Sequence, residues 1–258
     1  MKIAIVQFNP VWESIDSNLK KIENMLNQEL SDQVDIIVLP EMFSTGFSMN
    51  TSLAETENGK TVNWMKSISE KYSSAICGSV MTREDSHYYN RFYWIHRTDL
   101  FTYDKRHLFS LAQEHLDFSA GDQNIEIEYK GFKIRSFICY DLRFPVWMRN
   151  KNAADLDIVV ANFPKTRTLA WDTLLRARAI ENQNYVIGVN IVGRDGNGLE
   201  YSGHSAVYDC EGLTAAHCNS GEGVFVAQIN QERITAFRRA YPFWKDADQF
   251  EINRTQNK

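Results

Sequence analysis

Glu41, Lys105 and Cys139 each stand at or just past the end of an apolar run that reads as a strand. Their side chains have compatible chemistry. A thiol becomes a nucleophile when a base takes its proton. A carboxylate at the end of a buried strand can be that base, because partial desolvation raises its pKa toward the working range. A lysine can hold the oxygen of a tetrahedral intermediate. No histidine is required. Each residue also has a plainer reading. A lone cysteine at a strand end is usually a small buried hydrophobe, a loop glutamate is usually solvated, and a lysine among aromatics usually snorkels to the surface.

The elements that must position these groups alternate between strand and helix. Before Cys139, the stretch from Gly131 to Ile138 alternates Phe132 and Ile134 with Lys133 and Arg135, then turns fully apolar, as a strand does. After it, Pro145 suits a first helical turn. Ligands of open α/β sheets bind at such strand ends, and a helix N-terminus nearby favours a thiolate. Glu41 follows the buried strand from Val34 to Leu39. Ile3 to Val6 reads as an earlier strand, and Ser14 to Leu30 as a helix with Ile15, Leu19, Ile22 and Leu26 on one face. That order makes a βαβ unit. A helix from Thr61 to Tyr72 and a strand from Ala75 to Val80, with Cys77 in the core, continue it. Lys105 follows an antiparallel hairpin, Tyr88–Ile95 with Leu100–Tyr103.

Beyond Cys139 the pattern repeats: a strand from Leu156 to Ala161, a helix from Thr168 to Asn182 and a strand from Tyr185 to Asn190. The glycine-rich run from Gly193 to Gly198 lacks the phosphate-loop lysine and reads as a turn. Ser205–Tyr208 and Val224–Ile229 read as the two arms of a hairpin, followed by a helix from Gln231 to Arg239 and a polar tail from Tyr241 that extends over the surface. Arg178 and Glu181, three apart on one helix, read as an ordinary side-chain pair.

Composition narrows the classes. With 258 residues, 43% hydrophobic and 24% charged, the chain can bury a sizeable core. A net charge of −5 argues against a nucleic-acid partner. Four cysteines, Cys77, Cys139, Cys210 and Cys218, have neither metal-ligand spacing nor the density of a disulfide framework. They fit a reducing compartment. The apolar start is interrupted at Gln7, too early for a secretory signal, and no run is long enough to span a membrane. A cytoplasmic protein with no membrane partner is expected.

Four segments stand in the order of a known family. They are Pro40-Glu41, Tyr103-Asp104-Lys105-Arg106-His107-Leu108-Phe109, Cys139-Tyr140-Asp141-Leu142-Arg143-Phe144-Pro145 and Arg176-Ala177-Arg178-Ala179-Ile180-Glu181-Asn182. In these the chain resembles the nitrilase superfamily of carbon–nitrogen hydrolases over nearly its whole length. The resemblance implies a four-layer α-β-β-α sandwich formed by a single domain over residues 1–258, commonly a homodimer, with no metal and no organic cofactor. It implies that Glu41 is the general base, Lys105 the oxyanion stabiliser and Cys139 the nucleophile. The Tyr140 amide joins the oxyanion hole, and Glu114 positions the substrate and its neighbours. True nitrilases usually follow the cysteine with Trp-Glu, whereas Tyr140-Asp141 follows here. The cysteine segment and Glu41-Met42-Phe43-Ser44-Thr45-Gly46-Phe47 look like the omega-amidase branch, which implies short 2-oxo dicarboxylic monoamides such as 2-oxoglutaramate and 2-oxosuccinamate. Arg143 then forks onto the remote carboxylate or serves a structural ion pair. Phe43 and Trp94 are the expected walls of the pocket. Gln113 stands where many relatives have glycine. A different small amide or an N-carbamoyl amine remains an alternative substrate, and a binding protein that kept the fold is the alternative outside catalysis.

Overall fold

The first strand is buried on both faces, and its period-two alternation sets the layers. In β1 (Lys2–Gln7), Ile3 and Ile5 face one apolar core while Ala4 and Val6 face another. The second of these cores is closed by α1 (Ile15–Glu29), which contributes Leu19, Ile22 and Leu26 at helical spacing. β2 (Ile36–Val38) pairs parallel with β1. α2 (Lys60–Tyr72) adds Val62, Met65 and Ile68 to the same helix-facing core. β3 (Ala75–Glu84) runs parallel to β2, and β4 (His87–His96) and β5 (Asp99–Asp104) extend the sheet antiparallel.

After the one-turn α3 (Glu114–Asp117) a second sheet begins with the hairpin of β6 (Glu126–Tyr129) and β7 (Phe132–Ile138). One-turn α4 (Pro145–Met148) leads to β8 (Leu156–Val160), parallel to β7. α5 (Thr168–Asn182) leads to β9 (Tyr185–Val189), again parallel. Gly188 lets α5 lie close on this sheet: a Cβ there would come within 2.3 Å of Leu175 and 2.7 Å of Trp171. β10 (Val192–Arg194) and β11 (Glu200–Ser202) form a small ribbon. β12 (Ala206–Tyr208) pairs with β9 and with β13 (Thr214–His217); β14 (Gly223–Gln228) and α6 (Gln231–Ala240) follow.

This computed structural model describes residues 1–151, 154–218 and 220–252. Its two six-stranded sheets have the orders β14-β1-β2-β3-β4-β5 and β13-β12-β9-β8-β7-β6. They pack face to face, with Trp94 edge-on to Tyr129 at 5.3 Å and Tyr103 edge-on to Phe137 at 6.3 Å. Helices cover the outer faces, so the expected α-β-β-α sandwich is present.

One strand pairing differs from the sequence reading. The arm at 206–208 pairs with Thr214–His217, and Gly223–Gln228 instead crosses to the first sheet, antiparallel to β1. The crossing ties the two sheets through the chain. The β6 strand was also not anticipated, and the helix after Cys139 is a single turn. The tail does lie on the surface, with Tyr241, Phe243 and Trp244 exposed; its last stretch, 253–258, falls outside the described residues.

Candidate active site

Cys139 begins a tight 3-10 turn, Cys139–Arg143, directly after β7. Its φ is +45°, a left-handed conformation that costs a non-glycine residue about 1–3 kcal/mol. Asp141, buried in the same turn, holds that geometry. Its Oδ2 accepts the Ile138 N–H at 3.0 Å and the Tyr103 hydroxyl at 2.7 Å. Its Oδ1 accepts the His107 N–H at 3.0 Å and lies 2.8 Å from His107 Nδ1. Trp147 Nε1 donates to the Tyr103 oxygen at 3.0 Å. One carboxylate thus ties the cysteine turn to the segment carrying Lys105.

Glu41 follows β2 and precedes Met42, whose φ of +44° turns the chain sharply. The Ser79 hydroxyl of β3 accepts the Met42 N–H at 2.8 Å and donates to Asn90 Oδ1 at 2.8 Å. Asn90 Nδ2 then donates to Glu41 Oε1 at 2.8 Å and to Glu114 Oε1 at 3.2 Å. Lys105 is fully buried and bridges the same two carboxylates: Nζ is 2.8 Å from Glu41 Oε1, and 2.9 and 3.1 Å from the oxygens of Glu114. Glu114 Oε2 also accepts the Phe109 N–H at 2.6 Å. From the opposite sheet, the Asn162 N–H donates to Glu41 Oε2 at 2.8 Å and Asn162 Nδ2 to the Glu41 carbonyl at 2.7 Å.

This wiring decides which oxygen of Glu41 can take a proton. Oε1 receives two short hydrogen bonds, from Lys105 and Asn90. Oε2 receives one short bond and a long one of 3.4 Å from Asn162 Nδ2, so it keeps acceptor capacity. Asn162 Oδ1 is buried with no partner among the described residues, although the Asn162 side chain borders the cavity. Burial, and then the Glu41 charge, push the half-buried Cys139 thiol well above its ordinary range; Lys105 opposes them. Burial works against the Lys105 cation, but the Glu114 and Glu41 carboxylates outweigh it and hold the ammonium charged. Burial also raises the Glu114 carboxyl, against the pull of Lys105. The four groups form a dry, charged cluster in which the cysteine rests as a thiol. The thiolate favoured by a helix N-terminus, expected from the sequence, is not the resting form: α4 is only one turn long, and burial beside Glu41 dominates.

The cluster opens into a cavity of about 110 Å³. Its walls include Phe47, Phe109, Cys139, Tyr140, Arg143, Phe163 and Arg167. Tyr140 and Arg143 both line this cavity. Arg143 lies over the Phe163 ring at 5.5 Å and makes no ion pair with a described residue, so a structural ion pair is not its role here. Phe43 and Trp94 are not walls. Trp94 points from β4 into the inter-sheet core beside Tyr129, and Phe43 points to the helix layer, 6.0 Å from Trp64. Both are fully buried. Trp94 shares a face of β4 with Asn90 but lies four residues further along the strand, in the inter-sheet core, and the turn at Met42 carries Phe43 under the helices. Asn90, Asn162 and Arg167 carry no sequence signal: a neutral amide within β4, another just past β8 and an arginine after Pro164 match no motif. Among the described residues no cluster of His, Cys, Asp or Glu could hold a metal, and no helix is long and apolar enough to cross a membrane.

The family model for carbon-nitrogen hydrolases matches residues 2–239. The chain is 40% identical over 254 residues to an omega-amidase of Escherichia coli K12, YafV, covering 98% of each chain. It is 34% identical over 251 residues to a 2-oxoglutaramate amidase of Bacillus subtilis, covering 95% of this chain and 96% of that one. Its fold is similar to the crystal structure of XC1258 from Xanthomonas campestris, described as a CN-hydrolase superfamily protein with an arsenic adduct in its active site. That match has a TM-score of 0.95 at 38% identity, over 98% of this chain and 99% of the other.

Proposed function

Because the chain belongs to the carbon-nitrogen hydrolase family, we propose that it hydrolyses the terminal amide of short 2-oxo dicarboxylic monoamides, 2-oxoglutaramate and 2-oxosuccinamate, to the acid and ammonia. The observation that carries the reading is the meeting of Lys105 with Glu41 and Glu114 beside Cys139, which lines a small cavity together with Arg143, a guanidinium with no ion pair among the described residues. Relatives matched over nearly the whole chain, an omega-amidase and a 2-oxoglutaramate amidase, support the substrate class.

The steps follow from the wiring. Glu41 Oε2 takes the Cys139 proton as sulfur attacks the amide carbon, so charge need not build on the thiolate before bond formation. The Lys105 ammonium and the Tyr140 N–H hold the oxyanion. Glu41 returns the proton to the amide nitrogen, the C–N bond breaks, and ammonia leaves a thioester on Cys139. Asn162 Oδ1 gives the amide N–H a buried acceptor during this step. Water, deprotonated by Glu41, adds to the thioester; the C–S bond breaks and sulfur regains its proton. Glu114 keeps Lys105 in place, and Arg143 takes the remote carboxylate. Atoms and protons balance without a metal or an organic cofactor.

The same reading takes residues 1–258 as one carbon–nitrogen hydrolase domain, a cytoplasmic homodimer in the cell. The four free thiols, three of them buried, support a reducing compartment, and the exposed Tyr241, Phe243 and Trp244 support a contact surface. The activity is tested by ammonia release from 2-oxoglutaramate with glutamine as control. Rapid release from the former and little from the latter is expected. Release from glutamine at an equal rate would overturn the substrate assignment.

A further inference from the structure

Arg167 ends the 3-10 turn Lys165–Arg167 that leads into α5, just after β8 gives out at Asn162-Phe163-Pro164. It lines the same cavity as Cys139 and Arg143. Its guanidinium lies over the Phe109 ring at 4.9 Å, as that of Arg143 lies over Phe163 at 5.5 Å. Both arginines are half-buried, and neither side chain has a carboxylate partner among the described residues. Elsewhere in the fold the well-buried arginines are paired: Arg91 with Asp104, Arg135 with Asp157 and Arg178 with Glu181. The acid in the described lining, Asp195, is already engaged. Its Oδ1 accepts the Asn197 and Leu199 N–H groups at 2.9 Å each, and its Oδ2 accepts the Tyr201 hydroxyl at 2.9 Å. The cavity therefore presents two unneutralised guanidiniums.

We propose that Arg167 is a second guanidinium for the 2-oxo acid end of the substrate, closing on it opposite Arg143 and setting the preference for 2-oxo over 2-amino acid amides. The proposal rests on the function argued above and adds a residue to it. A 2-oxo acid end carries only acceptors: two carboxylate oxygens and the neighbouring ketone oxygen. A guanidinium carries only donors, in a planar fork. Two such forks satisfy all three oxygens, whereas one leaves the ketone oxygen without a donor. Glutamine places an ammonium where the ketone would be. That group brings donors to donors and positive charge to positive charge, so the same pair rejects it. The aromatic faces under both guanidiniums hold the forks in place before substrate enters.

A purely structural role predicts something different. Arg167 rests on Phe109, whose N–H holds Glu114 Oε2. If Arg167 only steadied Phe109, its loss would disturb Glu114 and slow every amide alike.

The test uses the full chain with Arg167→Met and Arg167→Lys, each checked for fold by circular dichroism. Steady-state kcat and KM are measured on 2-oxoglutaramate and on uncharged propionamide, and 2-oxoglutarate binding is measured by calorimetry. The ratio of kcat/KM for 2-oxoglutaramate over propionamide is expected to fall at least about tenfold in Arg167→Met, mainly through KM, because a lost polar contact removes discrimination. Binding of 2-oxoglutarate should weaken by at least about tenfold, with partial recovery in Arg167→Lys, which restores charge but not the fork. An equal fall on both amides, or no change in either measurement, overturns the proposal. A wild-type enzyme that cleaves propionamide but not 2-oxoglutaramate would instead overturn the proposed substrate. Calorimetry then decides the clamp by itself: Arg167-dependent binding of 2-oxoglutarate sustains it, and absent or Arg167-independent binding sinks it.

Discussion

Replacing Lys105 with methionine should damage the protein in a way that depends on pH in a defined direction. Among the described residues Lys105 is the one cation in contact with both Glu41 and Glu114, at 2.8 and 2.9 Å, and all three side chains are fully buried. Methionine fills similar space but leaves two carboxylates facing one another without a counter-charge. Breaking a buried pair in this way costs about 3–5 kcal/mol. For a chain of this size that corresponds to roughly 6–20 °C in Tm. Burial already raises the Glu114 carboxyl while Lys105 lowers it, so removing the lysine raises it further. A carboxyl raised in the folded state holds its proton more tightly there than in the unfolded chain. Stability of Lys105→Met is therefore highest below the unfolded pKa and is lost as pH rises through the folded one. Adding Glu114→Gln to Lys105→Met removes one of the two facing charges and should recover much of the loss at neutral pH. Urea unfolding of wild type, both single variants and the double, at several pH values, reads all of this. A Lys105→Met protein as stable as wild type at neutral pH, or one that grows more stable as pH rises, would contradict a counter-charge role for Lys105.

Other outcomes follow from the same structure. The Cys139 thiol should ionise above the 9.0 of an unperturbed thiol, read as the thiolate absorbance difference between wild type and Cys139→Ala; ionisation below that value would contradict a resting thiol. Asp141→Asn should cost about 2–3 kcal/mol in urea unfolding, since it weakens charge-assisted bonds that hold the cysteine turn, and should lower kcat more than it raises KM. Trp94→Ala should cost about 3–5 kcal/mol while KM for 2-oxoglutaramate stays within about twofold. A large KM change would return Trp94 to the cavity wall.

How far the sequence shows these features depends on the kind of signal. The βαβ runs are legible because Ile3 to Val6 is apolar throughout and Val34 to Leu39 and Leu156 to Ala161 are each apolar but for one aspartate, Asp35 and Asp157, and Thr168 to Asn182 is bounded as the structure bounds it. The partner of 206–208 is not legible. Thr214-Ala215-Ala216-His217 is a weak strand sequence, and the apolar run at 223–228 suits either sheet; only the folded chain shows it beside β1. Glu41, Lys105 and Cys139 converge from distant segments, and motif order finds them because charged and nucleophilic side chains are conspicuous at strand ends; Glu114, in a segment that reads as a loop, is reached only through the family resemblance. Asn90 and Asn162 are as important to the wiring but look like ordinary polar residues. Phe43 and Trp94 show the opposite error. Aromatics near a site in sequence reach it only if the backbone carries them there: the turn at Met42 sends Phe43 under the helices, and Trp94 sits on the right face of β4 but too far along the strand.

Hydrolysis by this route requires a covalent bond between Cys139 and the substrate's acyl group. Rapid mixing of enzyme with 2-oxoglutaramate, acid quenching and intact-mass measurement tests it directly. The expected result is an acyl adduct mapped to Cys139 that appears before ammonia reaches its steady-state rate and is absent from Cys139→Ala. Steady ammonia release with no adduct at Cys139, or undiminished release by Cys139→Ala, would contradict it.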